Sequence, residues 1–158
     1  METNFYDEFW LRIDARNTGF LFEYCEKVMK SQYNIDINID KFLTTFMNSN
    51  VRQKMDAGHP RLLSQSYEDT IECFITVDCD GDYHQFGLNE SETIDEYHHL
   101  EKLWIGRMYV LMAYQFGISF LKLVEKIPFR QMRLHYRTGH EINDTIYLDS
   151  VAHIFAQL

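Results

Sequence analysis

Three observations predict a mainly α fold, a single-domain helical bundle over residues 1–158 built around a central apolar helix at about 94–116, with room for one short β-hairpin or strand pair. Apolar residues recur at three- and four-residue spacing along most of the chain, the period of a helix with one buried face. The stretch from Leu103 to Phe116 is apolar nearly all round, as a helix with neighbours on every side must be. The composition, 46% hydrophobic and 15% aromatic with two prolines, is that of a packed globule rather than a chain too polar to offset its own conformational entropy.

The elements follow in order. Phe5, Phe9, Arg12, Ile13 and Arg16 keep helical spacing, as do Leu21, Tyr24, Cys25, Val28 and Met29, and the Asn17-Thr18-Gly19 break between them predicts two amphipathic helices. Residues 34–40 alternate Ile with Asp or Asn, which suits a short strand, but Asn38 or Asp40 also caps a helix from Lys41 to Met55, the reading preferred here. Gly58-His59-Pro60 closes that helix, because Gly takes the left-handed position past the end and Pro cannot continue the ladder. Ser66 with Asp69 opens a helix from Tyr67 to Val77, although Ile75-Thr76-Val77 has the β-branched content of a strand. Asp78 to Asn89 is a Gly- and Asp-rich loop, and Ser91 or Thr93 caps the long central helix, which Gly117 ends. Ser119 caps a short helix to Ile127, Pro128 opens another that stops near Gly139, and Asp144 to Leu158 forms the last.

Charge is segregated more sharply than the net −9 suggests. Eleven acids and no Lys or Arg lie between Leu62 and Glu101, whereas Lys102 to Arg137 holds seven bases and one acid. Such a molecule repels phosphate backbones over most of its surface, so nucleic acid is a poor partner and a basic protein a better one. The partner-binding candidates are Glu68, Asp69 and Glu72 on one predicted helix and Glu92, Asp95 and Glu96 in the first turn of the central one. Arg130, Arg133 and Arg137 share a helix face and serve either to pair with these acids internally or to dock an anionic surface. The longest apolar stretch contains Arg107 and Gln115 and falls short of a bilayer's thickness, which excludes a membrane span. Cys25, Cys73 and Cys79 make an odd count with no basic-then-apolar leader ahead of them, the pattern of free thiols in a cytoplasmic protein.

No motif assembles a catalytic constellation, and none calls for a cofactor. Asp78-Cys79-Asp80-Gly81-Asp82 has carboxylates for a hard cation, but in an EF-hand the glycine is sixth and a bidentate Glu twelfth, where this loop has Gly81 fourth and Asn89 twelfth. Glu96-Tyr97-His98-His99 contains the Glu-x-x-His of di-iron bundles without the second copy that such a site requires. His135, His140, Glu141 and Asp144 cluster in sequence, and a His oriented by a carboxylate is half of a nucleophilic site, yet no nucleophile motif accompanies them. The ordinary reading is a structural His140 satisfied by Asp144. The alternative function is a small metal-binding protein or hydrolase built on His140, Glu141 and Asp144 with His98 or His99.

Trp104-Ile105-Gly106, the aromatic positions around Tyr114, and Gly117-Ile118-Ser119-Phe120 resemble a Trp-x-Gly, aromatic cluster and Gly-x-Ser-Phe run. Further on, Ile127-Pro128, Met132, Tyr136 and His140-Glu141 keep the same spacing as that pattern's Pro, hydrophobic, Tyr and His-Glu positions. The pattern is that of a family of small uncharacterised bacterial proteins associated with toxin-antitoxin-type gene clusters, and the stretch from Asn48-Ser49 to Gly58-His59-Pro60-Arg61 is also similar to it. The chain departs at Leu63–Tyr67, which lacks the family's glycines, and at Asn143, where an acid is usual. The resemblance implies a helical intracellular protein of prokaryotic origin that acts by binding, with Trp104, Gly106, Tyr136 and His140 as structural positions. The expectation is therefore a non-enzymatic, antitoxin-like or immunity-like neutraliser that docks a basic partner through its acidic surface. Association with another copy of itself is a further alternative.

Overall fold

The apolar stripe beginning near Phe9 winds into one continuous helix, α1 (Glu8–Tyr33), in the computed structural model, which describes residues 8–156. The expected break at Asn17-Thr18-Gly19 is absent. Thr18 turns its hydroxyl back to Asp14 Oδ1 at 2.8 Å, and Gly19 is buried against a neighbouring helix. Glycine here serves close approach rather than a turn, so tertiary packing overrides a weak local breaker. Phe5 lies outside the described residues, as does the expected end of the last helix at Leu158.

Asn38 caps α2 (Ile39–Met47) by accepting from the Lys41 amide at 3.1 Å. The single helix expected from Lys41 to Met55 is two, because Ser49 caps a second start, α3 (Asn50–Asp56), with its hydroxyl on the Arg52 amide at 3.0 Å. Gly58, at φ 84°, closes α3 as expected, with the amides of Gly58 and His59 reaching back to Met55 and Lys54. One short turn of helix, α4 (Pro60–Ser64), follows, and then α5 (Tyr67–Asp78), capped by Ser66. Ile75-Thr76-Val77 is therefore helical. The allowance for a strand pair reduces to an isolated bridge between Ile37 and Gly87, and no strand occurs among the described residues.

The central helix is shorter than its sequence suggests: α6 runs Glu101–Phe116, not 94–116. Ser91 turns back to the Asn89 side chain, and residues 88–100 cross the surface as a non-helical strap. The strap ends at Leu100, whose φ of 64° redirects the chain into α6. Gly117, also at φ 64°, ends the helix. Ser119 caps α7 (Phe120–Lys126), Pro128 precedes α8 (Phe129–Gly139), and Asn143 caps α9 (Asp144–Val151), which tightens into a 3₁₀ turn through Phe155.

Antiparallel packing of α1 on α6 forms the main contact, with Phe22, Cys25 and Met29 from one helix and Ile105, Met108, Tyr109 and Met112 from the other fully buried. Gly106 makes it possible: a Cβ there would stand 2.8 Å from both the Thr18 carbonyl oxygen and Phe22 Cγ. A second apolar layer joins α2, α5 and the 83–86 turn through Phe42, Phe46, Phe74 and Phe86, with Phe42 and Phe46 each edge-on to Phe74. Between the layers lies Arg52, 1% exposed, bound to both oxygens of buried Asp14 at 2.6 and 2.9 Å and to Asp56 at 3.0 Å. Its guanidinium also stacks over Phe120 at 3.8 Å, and Asp56 accepts the Phe120 amide at 2.9 Å, so one charged cluster ties α1, α3 and α7 together. Burial pushes the Asp56 carboxyl above its ordinary range against the opposing pull of Arg52.

Candidate functional site

Of the eleven acids between Leu62 and Glu101, only Glu101 forms an ion pair among the described residues. Asp69 and Glu72 stand exposed on α5, and Glu68 is half-buried beside them. Glu72 lies near enough to Tyr33 that its charge adds to burial in raising the Tyr33 phenol pKa. The carboxylates of the 78–82 loop do not converge into a group of three that could hold a metal ion. Asp78 instead accepts from the amides of Asn50 and Val51 at 2.7 and 3.2 Å, a second cap on α3. Burial and then the charges of Asp78, Asp82 and Asp80 push the Cys79 thiol up to about 11, and burial raises Cys25 further still. All three cysteines are free thiols.

Glu92, Asp95 and Glu96 are strap residues rather than first-turn helix residues. Glu92 is half-buried and accepts from the Asn38 side chain and, at 3.2 Å, from the Asn89 amide, so it anchors the strap. Asp95 and Glu96 are exposed and form one wall of a cleft of about 490 Å³. Arg130, Arg133 and Arg137 form the opposite wall along α8, with Tyr97, Phe129 and Tyr136 between. The structure thus brings five of the nine partner-binding candidates together, with the expected structural position Tyr136 among them.

Each arginine is used differently. Arg133 binds Glu101 Oε2 at 2.8 Å, donates to the Glu96 carbonyl at 2.7 Å and lies 3.9 Å over the Tyr97 ring, so it fastens the strap to α8. Arg130, 82% exposed, pairs with Asp40 at 3.0 Å. Arg137 is exposed and has no ion pair among the described residues. Internal pairing with the acidic segment therefore consumes only Glu101. Tyr97 was not singled out by its sequence context, yet its ring sits between Arg133 and Lys102, the latter at 5.1 Å.

Of the positions expected to be structural, Trp104, Gly106 and Tyr136 are buried, whereas His140 is exposed. Trp104, 7% exposed, is edge-on to Tyr136 and Tyr147 at 5.6 and 5.0 Å, and Gly139 leaves room for its ring. Tyr136 donates to the His99 carbonyl at 3.0 Å, holding the end of the strap. His140 stacks on Tyr136 at 4.1 Å, with Nδ1 against the Tyr136 carbonyl. Asp144 does not satisfy it, because that carboxylate is taken by Arg107 at 2.7 and 3.1 Å, and Glu141 lies 4.0 Å away and exposed. His135 instead meets Tyr147 at 3.0 Å, and burial lowers its pKa. No group of three or more His, Cys, Asp or Glu among the described residues could hold a metal ion.

No helix among the described residues is long and apolar enough to cross a membrane. No family model, curated protein or solved structure matches the chain.

Proposed function

We propose that the chain is a non-enzymatic binding protein that docks a basic protein partner on its acidic surface, in the manner of an antitoxin or immunity protein. One observation supports the reading: ten of the eleven carboxylates in this forty-residue stretch form no ion pair among the described residues, Arg133 being engaged by Glu101 and Arg130 by Asp40. The exposed acids Asp69, Glu72, Asp95 and Glu96 supply surplus potential of one sign, which speeds encounter with an oppositely charged surface and fades as salt shortens the screening length to about 8 Å. The sequence resemblance to proteins of toxin-antitoxin-type clusters supports the same class of action. A cytoplasmic setting belongs to this proposal.

The test uses the wild-type chain and a variant with Asp69, Glu72, Asp95 and Glu96 all replaced by Lys as paired baits. A stoichiometric basic protein held by the first, lost by the second and released by added salt is the expected result. If the two baits retain the same proteins at low and high salt, the acidic surface serves solubility alone.

A further inference from the structure

A different face is shaped by α1, α6 and α9. Beside their close approach at Gly19 and Gly106, α1 and α6 leave a groove of about 380 Å³, floored by Leu11, Ala15, Leu103 and Leu111. Its edges are Arg12, Arg16 and Arg107, and among the described residues its lining holds no carboxylate, in a chain of 24 acids and 15 bases. This is a local inversion of the molecule's sign.

Arg107 is gripped by Asp144 in the first turn of α9, so the groove's edge abuts that helix. α9 turns Tyr147 and Val151 inward and leaves Ile146 55% exposed, with Ile142 40% exposed just ahead of it. Exposed Glu141 and Asp149 flank these two side chains. An apolar ridge with anionic edges therefore adjoins an apolar groove with cationic edges, the two joined through the Arg107–Asp144 pair.

We propose that this face pairs two copies of the chain about a two-fold axis, the Ile142–Ile146 ridge of each lying in the α1–α6 groove of the other. A two-fold contact requires a patch complementary to itself, with each half present on both copies, and a ridge beside a matching groove meets that requirement. Burial of the isoleucines supplies the drive, and Glu141 and Asp149 against Arg12 and Arg16 of the second copy set the register. The contact uses none of the acids of the 62–101 segment, so it stands or falls independently of partner docking.

Sedimentation equilibrium on the full chain tests it. Wild type should weigh twice its 19.0 kDa at micromolar concentration. The pair Arg12→Glu with Arg16→Glu, and separately Glu141→Arg with Asp149→Arg, should each be monomeric, because ridge and groove then repel. Mixing the two variants should restore a dimer, since both contacts of the mixed pair are complementary again. All four positions are exposed, and circular dichroism checks that the variants fold. Ile146→Glu is an independent route to the monomer. A wild type that stays monomeric into the millimolar range overturns the proposal and leaves the groove to a different occupant. A dimer that survives in any of the three variants, or a mixture that fails to reassociate, overturns it by placing the interface elsewhere.

Discussion

Replacing Gly106 with alanine should destabilise the protein, while the same change at Gly19, one helix away in the same contact, should be nearly neutral. At Gly106 the new Cβ would sit 2.8 Å from the Thr18 carbonyl oxygen, 2.8 Å from Phe22 Cγ and 3.0 Å from Phe22 Cβ. The oxygen is backbone and cannot rotate aside, so α1 and α6 must separate along the contact that buries Phe22, Met108 and Tyr109. Overpacking of this kind costs about 1–3 kcal/mol, or more where backbone is forced to move. Alanine's better helix propensity returns about 1 kcal/mol. Because backbone must move, the upper part of that range applies and a net loss of about 1–2 kcal/mol is expected, and in a chain of this length each kcal/mol moves Tm by roughly 2–4 °C. At Gly19 the nearest atom is the Leu103 carbonyl oxygen at 3.3 Å, so a shift of a few tenths of an ångström suffices and the propensity gain of about 1 kcal/mol offsets it. Urea titration of both variants, with the slope checked for constancy, measures the difference directly. Equal stabilities, or a Gly106 variant more stable than wild type, would show that the two helices do not approach as closely as described.

Other outcomes can be measured on the same material. Trp104→Ala should cost about 3–5 kcal/mol, because it empties the space between Tyr136, Tyr147 and Gly139; an unmoved urea midpoint would put the ring at the surface. Asp14→Ala should cost about 3–5 kcal/mol by stranding most of the Arg52 charge in the core, and adding Arg52→Met should recover part of that loss; strictly additive penalties would mean the pair is not coupled. His135 should add a pH slope. Its folded pKa lies below the 6.5 of the free side chain, so between those values the unfolded chain binds the proton and the folded one does not. Stability from this source is present above pH 6.5 and lost as pH falls toward the folded pKa. The Tm of wild type should therefore drop more steeply than that of His135→Gln on acidification, and parallel curves would disprove the assignment.

Local chemistry was legible and tertiary chemistry was not. Asn38, Ser66, Ser119, Gly58 and Gly117 announce helix ends because each acts on backbone groups within a few residues, and all five sit at the ends they signal. Ser49 signals in the same way, but the apolar periodicity running through 41–55 hid the second start. The continuity of α1 through Gly19 depends on α6, eighty residues later, and could not be read locally. Ser91 and Thr93 are plausible caps whose helix never forms, because strap residues 88–100 are claimed by distant groups. Asn38 holds Glu92, Arg133 holds the Glu96 carbonyl, and Tyr136 holds the His99 carbonyl. Of the candidate site, the spacing of Arg130, Arg133 and Arg137 along α8 sets all three on the lining of one cleft. Their partners Asp40 and Glu101 come from other elements, and the buried Asp14–Arg52–Asp56 cluster leaves no pattern in sequence at all.

The strap also makes the chain divisible. It carries α1–α5 over to α6–α9, and its hold on the rest of the molecule is through the side chains of Asn38, Arg133 and Tyr136 and a single backbone hydrogen bond from the Leu88 amide to the Asp36 carbonyl, rather than a continuous backbone ladder. The largest interface in the fold, α1 on α6, lies across this crossing rather than within either half. A proteolytic nick near Ile94, itself 60% exposed, would cut the polypeptide while leaving Gly19 and Gly106 to register the halves. Two separately expressed fragments should therefore find each other in solution and rebuild one fold, and the strap is the natural position at which to split the protein into a reporter pair or to splice in a guest sequence.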